Sequence, residues 1–325
     1  MLITKSPLRI SLGGGGTDLP SYYKEYGGFL IAAGINKHVY ISLAETFNKN
    51  YIIKYSKFEE ANSIKKIKHP LFRETLLKMR IKTPLNIASH ADIPAGTGMG
   101  SSGCFTVTLI NALSAFQKKI LTKKKIAELA CEIEINKLKE PVGKQDQYAS
   151  AFGGLNSYEF KSNGSVLIRK INITKKRIEE LKKNLIIFFT GYSRSSYKIL
   201  QKQDVSSKFF DKAMINNLHK IKQFGLQSRS ILENGDIDDM GRVMHEHWQY
   251  KKERSSFMTN DTINELYKIA QKNGALGGKL IGAGGGGFLM FYSKNTKLIE
   301  KKFTKLGLKK LDFDFDFEGT RILKI

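Results

Sequence analysis

Three alternating glycines and two serines, Gly96, Gly98, Gly100, Ser101 and Ser102, stand directly ahead of a helical pattern in which Phe105, Leu109, Leu113 and Phe116 recur at helix spacing. A glycine-rich loop feeding a helix brings backbone N–H groups close to a ligand and aims the positive end of a helix dipole at it, which makes an anion cradle, most often for phosphate. Ser102 sits where a hydroxyl can reach a phosphate or its Mg²⁺. The alternative is a surface turn with a serine cap. The loop is not a Walker loop, because Gly100 stands where the lysine would be. Gly98-Met99-Gly100-Ser101-Ser102-Gly103 fits G-x-G-x-x-G, but the region about 20 residues on is Thr122-Lys123-Lys124-Lys125, basic where a dinucleotide site needs an acid.

Three carboxylates stand out elsewhere. Asp18 follows the four glycines Gly13 to Gly16 and reads either as a helix N-cap or as a ligand-facing acid. Glu134 falls at helical spacing with Ala127, Ala130, Cys131 and Leu138, a small apolar face on which a carboxylate needs a partner, either a salt bridge or a Mg²⁺ ion. Its neighbours Glu128 and Glu132 share a stripe with Lys124 and read as solvated. Asp146 reads on its own as an acid near a helix start. His245 and His247 on one helix point to different faces, which argues against a metal site.

The run Pro94 to Ser102 matches the nucleotide loop of the GHMP kinases, P-x-G-x-G-[LM]-G-S-S, at every fixed position. Ser6-Pro7-Leu8-Arg9 through Gly15-Gly16-Thr17-Asp18 resembles the first motif of that superfamily in its sugar-kinase branch. Gly143 to Gly154, with Asp146-Gln147, resembles the segment that carries its catalytic acid. Lys279 to Phe288, with Gly284 and Gly285, resembles its third motif. The opening G-G-G-T-D-L-P, G-K-Q-D-Q-Y, T-G-x-x-R ending at Arg194, and W-x-x-K at Trp248 and Lys251 are most similar to the heptose 7-phosphate kinases.

The resemblance implies an α+β two-domain GHMP fold, with a ribosomal protein S5 domain 2-like first domain, a ferredoxin-like second domain and the active site between them. It implies ATP over Pro94, Gly96, Thr97, Gly98, Met99, Gly100, Ser101 and Ser102, and Mg²⁺ on Ser102 and Glu134. Asp146 is implied as catalytic base with Arg9 beside it. Gly15, Gly16, Thr17, Asp18, Gly284 and Gly285 are implied as substrate contacts, and Arg194 and Lys251, both cationic and both in sugar-branch motifs, are expected to hold the substrate's 7-phosphate. The implied reaction phosphorylates the anomeric hydroxyl of D-glycero-D-manno-heptose 7-phosphate to the 1,7-bisphosphate. The competing readings are a kinase of an unphosphorylated sugar and a basic nucleic-acid-binding protein.

These residues need elements to hold them. Residues 1–12 read as a strand, 28–46 and 49–56 as paired strands, and Leu85 to His90 as a strand entering the phosphate loop. Helices are expected at 70–79, 122–139 with Thr122 as N-cap, 174–183, 205–233, 236–254 and 260–273. A hairpin is expected around Asn163-Gly164. The run Leu185 to Phe189 starts a new strand, so the domains are expected to divide as 1–180 and 181–325. Phe313, Phe315 and Phe317 alternate with acids and read as a final strand.

Composition sets the bounds. The chain has 325 residues and is 41% hydrophobic, enough for two cored domains. Lys and Arg number 54 against 30 acids, a net charge of +24. The lysines are scattered without a dominant block or nucleic-acid motif, so no nucleic-acid partner is expected. Two cysteines give no disulfide framework and point to a reducing cytoplasm. No apolar run approaches the length of a membrane span. Oligomeric state is left open.

Overall fold

The structure, a computed structural model, describes residues 1–191, 197–208 and 211–324. Among these residues twelve strands run in chain order: β1 (Leu2–Gly13), β2 (Gly28–Glu45), β3 (Tyr51–Lys54), β4 (Phe58–Ala61), β5 (Leu85–Ala91), β6 (Leu155–Phe160), β7 (Val166–Lys170), β8 (Leu185–Phe189), β9 (Gly277–Leu280), β10 (Phe288–Tyr292), β11 (Lys309–Lys310) and β12 (Arg321–Lys324). The helices are α1 (Pro20–Tyr26), α2 (Pro70–Lys78), α3 (Ser101–Phe116), α4 (Lys123–Cys131), α5 (Gln145–Phe152), α6 (Lys175–Asn184), α7 (Tyr197–Lys208), α8 (Lys212–Asn234), α9 (Asp239–Glu253), α10 (Asp261–Lys272) and α11 (Thr296–Lys305).

Eight strands form the first sheet, in the order β12-β1-β2-β5-β3-β4, with β6 also on β2 and β7 on β6. The second sheet is antiparallel, β11-β8-β10-β9. Strand β2 is long enough to serve two partners, pairing β6 through Gly28–Ala33 and β5 through Val39–Glu45. Its unbroken apolar start is explained by burial on both faces. Phe29, Ile31, Ala33 and Ile35 point into a core shared with the second sheet, while Leu30 and Ala32 point at the layer containing Val107 and Ile110 of α3 and Tyr148 and Ala149 of α5.

The run Leu185 to Phe189 is divided in the same way. Leu185 and Ile187 enter the shared core, whereas Ile186 and Phe188 pack with Trp248, Ile263 and Phe303 under α9, α10 and α11. The shared core also takes Leu8, Ile10 and Leu12 from β1, with Ile281, Phe288 and Met290 from the second half. The two sheets are thus joined by one continuous apolar layer. By the period-two rule, the residues of β1 between Leu8, Ile10 and Leu12 face the other way, and Arg9 and Ser11 look into a cleft.

Four elements depart from expectation. The strands expected to pair over 28–46 and 49–56 are separated by β5, which pairs with both β2 and β3, and the helix expected over 205–233 falls on two helices, α7 and α8. The helix at 122–139 is capped by Thr122, whose hydroxyl accepts from the Lys125 N–H at 3.2 Å, but the α-helix stops at Cys131 and continues as a π-helical turn over Glu132–Lys137. The phenylalanine-rich tail is not a strand. Phe315 makes a single bridge to Ile35, and Phe317 is exposed. Asp316 accepts at 2.9 Å from both the Glu318 and Gly319 N–H groups and turns the chain there, so the strand forms later, as β12. Strand β12 pairs with β1 in the first sheet, and Ser6 Oγ donates to Thr320 Oγ1 at 2.8 Å beside it.

Candidate active site

A cavity of about 820 Å³ opens between the two halves and collects residues from all three glycine-rich runs, β1, α5, α7, α9 and β9. Helix α3 forms one wall. Its N-cap, Gly100, is left-handed at φ 77° and supplies no side-chain cap, so the N–H groups of the first turn stay available to an anion. Gly98, at φ 87°, lies against the third glycine segment: a Cβ there would come within 2.4 Å of the Ile281 carbonyl oxygen. The contact is reciprocal, since a Cβ on Gly282 would come within 2.4 Å of the Gly98 oxygen. Only glycine backbones allow the two loops to touch, and their contact joins the halves at the cavity.

Asp146 lies in the first turn of α5, directly over the start of α3. Cβ atoms on Gly100 or Gly103 would meet its side chain at 2.9 and 2.8 Å. Arg9 Nε donates to Asp146 Oδ1 at 2.7 Å, Nη2 forms an ion-pair contact with the same oxygen at 2.7 Å, and Nη1 donates to the Gly98 carbonyl at 2.6 Å. One buried guanidinium therefore ties the acid of α5 to the glycine loop ahead of α3.

Glu134 reaches the same wall from the π-helical turn, a distortion frequent at functional sites. Ser102 Oγ donates to Glu134 Oε2 at 2.8 Å, and Gln147 Nε2 donates to Oε1 at 3.1 Å. Burial pushes the Glu134 carboxyl up to about 7, against the pull of these hydrogen bonds. Glu132 faces away and accepts from Lys78 Nζ at 2.5 Å, so the two acids separate by face as their spacing implied.

Asp18 is not an N-cap of its own helix, since Leu19 holds that position at α1. Its carboxylate accepts from the Gln145 N–H at 2.9 Å and the Gly16 N–H at 3.1 Å, next to the start of α5. Burial raises its pKa, against those bonds.

Four of the expected contact residues turn away from the cavity. Met99 is fully buried in the shared core, because the loop needs an apolar anchor between its glycines. Thr97 Oγ1 donates to the Pro94 carbonyl at 2.9 Å, and Thr17 Oγ1 to the Gly14 and Phe29 carbonyls at 2.9 Å. The Gly285 N–H is used on Met258 O at 3.0 Å. Pro94, Gly96, Ser101, Gly15, Gly16, Gly284 and Lys251 line the cavity, whereas Arg194 lies outside the described residues.

Among known proteins, GHMP kinase N-terminal and C-terminal domain models match residues 62–154 and 228–307. The D-glycero-alpha-D-manno-heptose 7-phosphate kinase of Campylobacter jejuni is 31% identical over 99% of this chain and 98% of its own. The chain is a GHMP kinase. It transfers phosphate from ATP to a hydroxyl, in the sugar branch of the family. A D-glycero-D-manno-heptose 1-phosphate kinase from Bacteroides thetaiotaomicron superposes with TM-score 0.80 at 27% identity, covering 100% of this chain and 99% of the other. Lactococcus lactis galactokinase, at 16% identity and TM-score 0.76 over 100% and 95% of the two chains, shares the fold. The expected α+β GHMP architecture is the one observed.

Sequence reasoning missed several residues that this kinase places in its cavity. His247 and Arg254 stand at i and i+7 around the expected Lys251 at i+4, so one stripe of α9 aims all three inward, while His245 turns to the Tyr267 hydroxyl at 2.8 Å. That basic stripe was legible from spacing. Lys279 opens the third glycine motif, and a lone lysine in a buried strand between Gly278 and Leu280 signals a buried cation. Ser11 is buried at the cavity, and its hydroxyl has no hydrogen-bond partner among the described residues.

Proposed function

We propose that this kinase phosphorylates the anomeric hydroxyl of D-glycero-D-manno-heptose 7-phosphate, producing the 1,7-bisphosphate for activated-heptose and surface-polysaccharide synthesis. The observation that carries this reading is the full-length relationship to a heptose 7-phosphate kinase, combined with a cavity that holds a paired acid and several buried cations. ATP is assigned to the loop Pro94–Ser102, whose free helix N-terminus suits polyphosphate. Asp146 accepts the proton of the sugar hydroxyl, and Arg9 fixes its orientation and offsets charge that develops on the transferred group. Asp18 and Ser11 take sugar hydroxyls. Residues 1–180 are assigned as one domain and 181–325 as the other, with β12 lent back to the first.

Ser102 and Glu134 fit a divalent cation. Both are hard oxygen donors, and Glu134 is a buried carboxylate with no cationic partner among the described residues. When bound, Mg²⁺ would neutralise phosphate charge there. Glu134→Gln is accordingly expected to raise the Mg²⁺ concentration for half-maximal rate by about 10–100-fold, the usual cost of disturbing a metal's ligand environment. Glu132→Gln, whose side chain reaches Lys78 instead, should leave it unchanged. A Mg²⁺ titration of both variants checks this, and equal shifts would remove Glu134 as ligand.

The substrate assignment is tested by coupled ADP release across heptose 7-phosphate, heptose, mannose, fucose and galactose. A preference for an unphosphorylated sugar would replace the heptose 7-phosphate reading. The charge of +24 is assigned to dispersed surface, so no nucleic-acid partner is proposed and duplex DNA should bind weakly, fading with salt. No helix among the described residues is long and apolar enough to cross a membrane.

A further inference from the structure

Three cations converge on the second-half wall of the cavity at 6% exposure or less: Lys251, Arg254 and Lys279. Among the described residues, no carboxylate lies within ion-pair distance of any of them. Burying a cation without a counter-charge is expensive, so such a cluster is maintained for an anion that arrives from outside.

The three are not equivalent. Lys251 spends its ammonium on the Leu280 carbonyl at 2.8 Å and the Gly282 carbonyl at 2.5 Å, which holds the third glycine segment in place. Among the described residues, Lys279 has one acceptor in reach, His247 Nδ1 at 3.4 Å, for three N–H groups. Arg254 has Nε on Asn217 Oδ1 at 3.0 Å, but among the described residues its two terminal nitrogens make only long bonds, 3.3 Å to Gln203 and 3.4 Å to the Gly15 carbonyl. It also marks the sugar end of the cavity: a Cβ on Gly16 would come within 2.5 Å of Arg254 Nη1, so the glycine run that presents Asp18 also leaves room for this guanidinium.

We propose that Lys279 and Arg254 form the subsite for the phosphate that the sugar substrate already carries. The inference rests on the heptose 7-phosphate reading and deepens it by naming what discriminates a sugar phosphate from a free sugar. A phosphate dianion offers three oxygens to an ammonium with unused donors and to a fork-shaped guanidinium, and each charge-assisted hydrogen bond is of the strong class. Burial, with Arg9 and Arg254 nearby, draws the Lys279 ammonium down to about 7, which an arriving dianion would reverse.

The test compares wild type, Lys279→Met and Arg254→Met on heptose 7-phosphate and on plain heptose, at saturating ATP, together with KM for ATP and Tm. Each variant should lose about 10–150-fold in kcat/KM on the sugar phosphate, chiefly through KM. The loss on plain heptose should be at least about tenfold smaller. Lys279→Met should melt at or above wild type, since it removes a buried cation that lacks a counter-charge. Lys279→Arg, which retains the charge, should recover part of the loss. Equal losses on both sugars, or a rise in KM for ATP alone, would overturn the subsite while leaving the substrate reading intact. A wild type that turns over plain heptose but not the phosphate ester would overturn the substrate reading itself, and the subsite with it.

Discussion

Asp146→Asn is expected to lower kcat by about 10²–10⁴-fold while ATP affinity hardly changes. The amide is close in shape to the carboxylate, so it still fits over Gly100 and Gly103, where the native side chain is held within about a van der Waals contact of the helix start. What it lacks is the negative charge and the lone pair that takes the hydroxyl proton. Neither α3 nor the glycine loop depends on Asp146 for its hydrogen bonds, since Gly98 is gripped by Arg9 and by the facing Ile281–Gly282 backbone. Stopped assays of ADP formation, a direct ATP titration and a circular dichroism spectrum separate the possibilities. A folded variant with kcat within about threefold of wild type would remove Asp146 as the base.

Arg9→Met should be nearly as damaging, by about 10²–10³-fold in kcat, the usual effect of deleting one preorganised electrostatic stabiliser. Its phenotype should differ from that of Asp146→Asn. Arg9 holds both Asp146 and the Gly98 carbonyl, so its loss frees the acid and loosens the nucleotide loop together, and KM for ATP should rise as well. Arg9→Lys should rescue poorly. An ammonium is a single point, and it cannot hold Oδ1 through one face of a fork while another nitrogen donates to the loop. Lysine activity within about tenfold of wild type would show that charge, not the fork, is what the site requires.

Much of this site could be read in advance because its parts are local. A loop that feeds a helix N-terminus is written in consecutive residues, and Pro94 to Ser102 folded as that pattern implies. Strands buried on both faces, such as β8, announce themselves as unbroken apolar runs. The separation of Glu134 from Glu132 followed from helical spacing, even though the helix becomes a π-turn at those residues, because a one-residue bulge does not reverse which side each acid takes.

The misses have a different origin. Arg254 and Lys279 come from a helix end and a strand that meet only when the second sheet is packed, and nothing within either segment states that the other is opposite. The tail was misread because the alternation of Phe313, Phe315 and Phe317 matches a strand in period. Its polar partners were invisible: Asp314 pairs with Lys182 at 2.7 Å, and Asp316 pairs with His38 at 2.8 Å and turns the chain. Long-range polar contacts set that segment's path, and periodicity carries no information about them.

The return of β12 to β1 has a consequence for biosynthesis. During synthesis β1 acquires this neighbour only after some three hundred further residues have been made; Ser6 and Thr320, bonded side by side, are 314 positions apart. Until then, the outer flank of β1 has unpaired backbone groups and invites another extended chain. Closing so wide a loop is entropically costly and slow, so the nascent amino-terminal half should be the stage at which this kinase is most open to chaperones or to self-association. Once formed, the same pairing anchors the carboxyl-terminal residues to the opening strand of the fold, so that shortening the chain there should affect the strand that carries Arg9 as much as the second half.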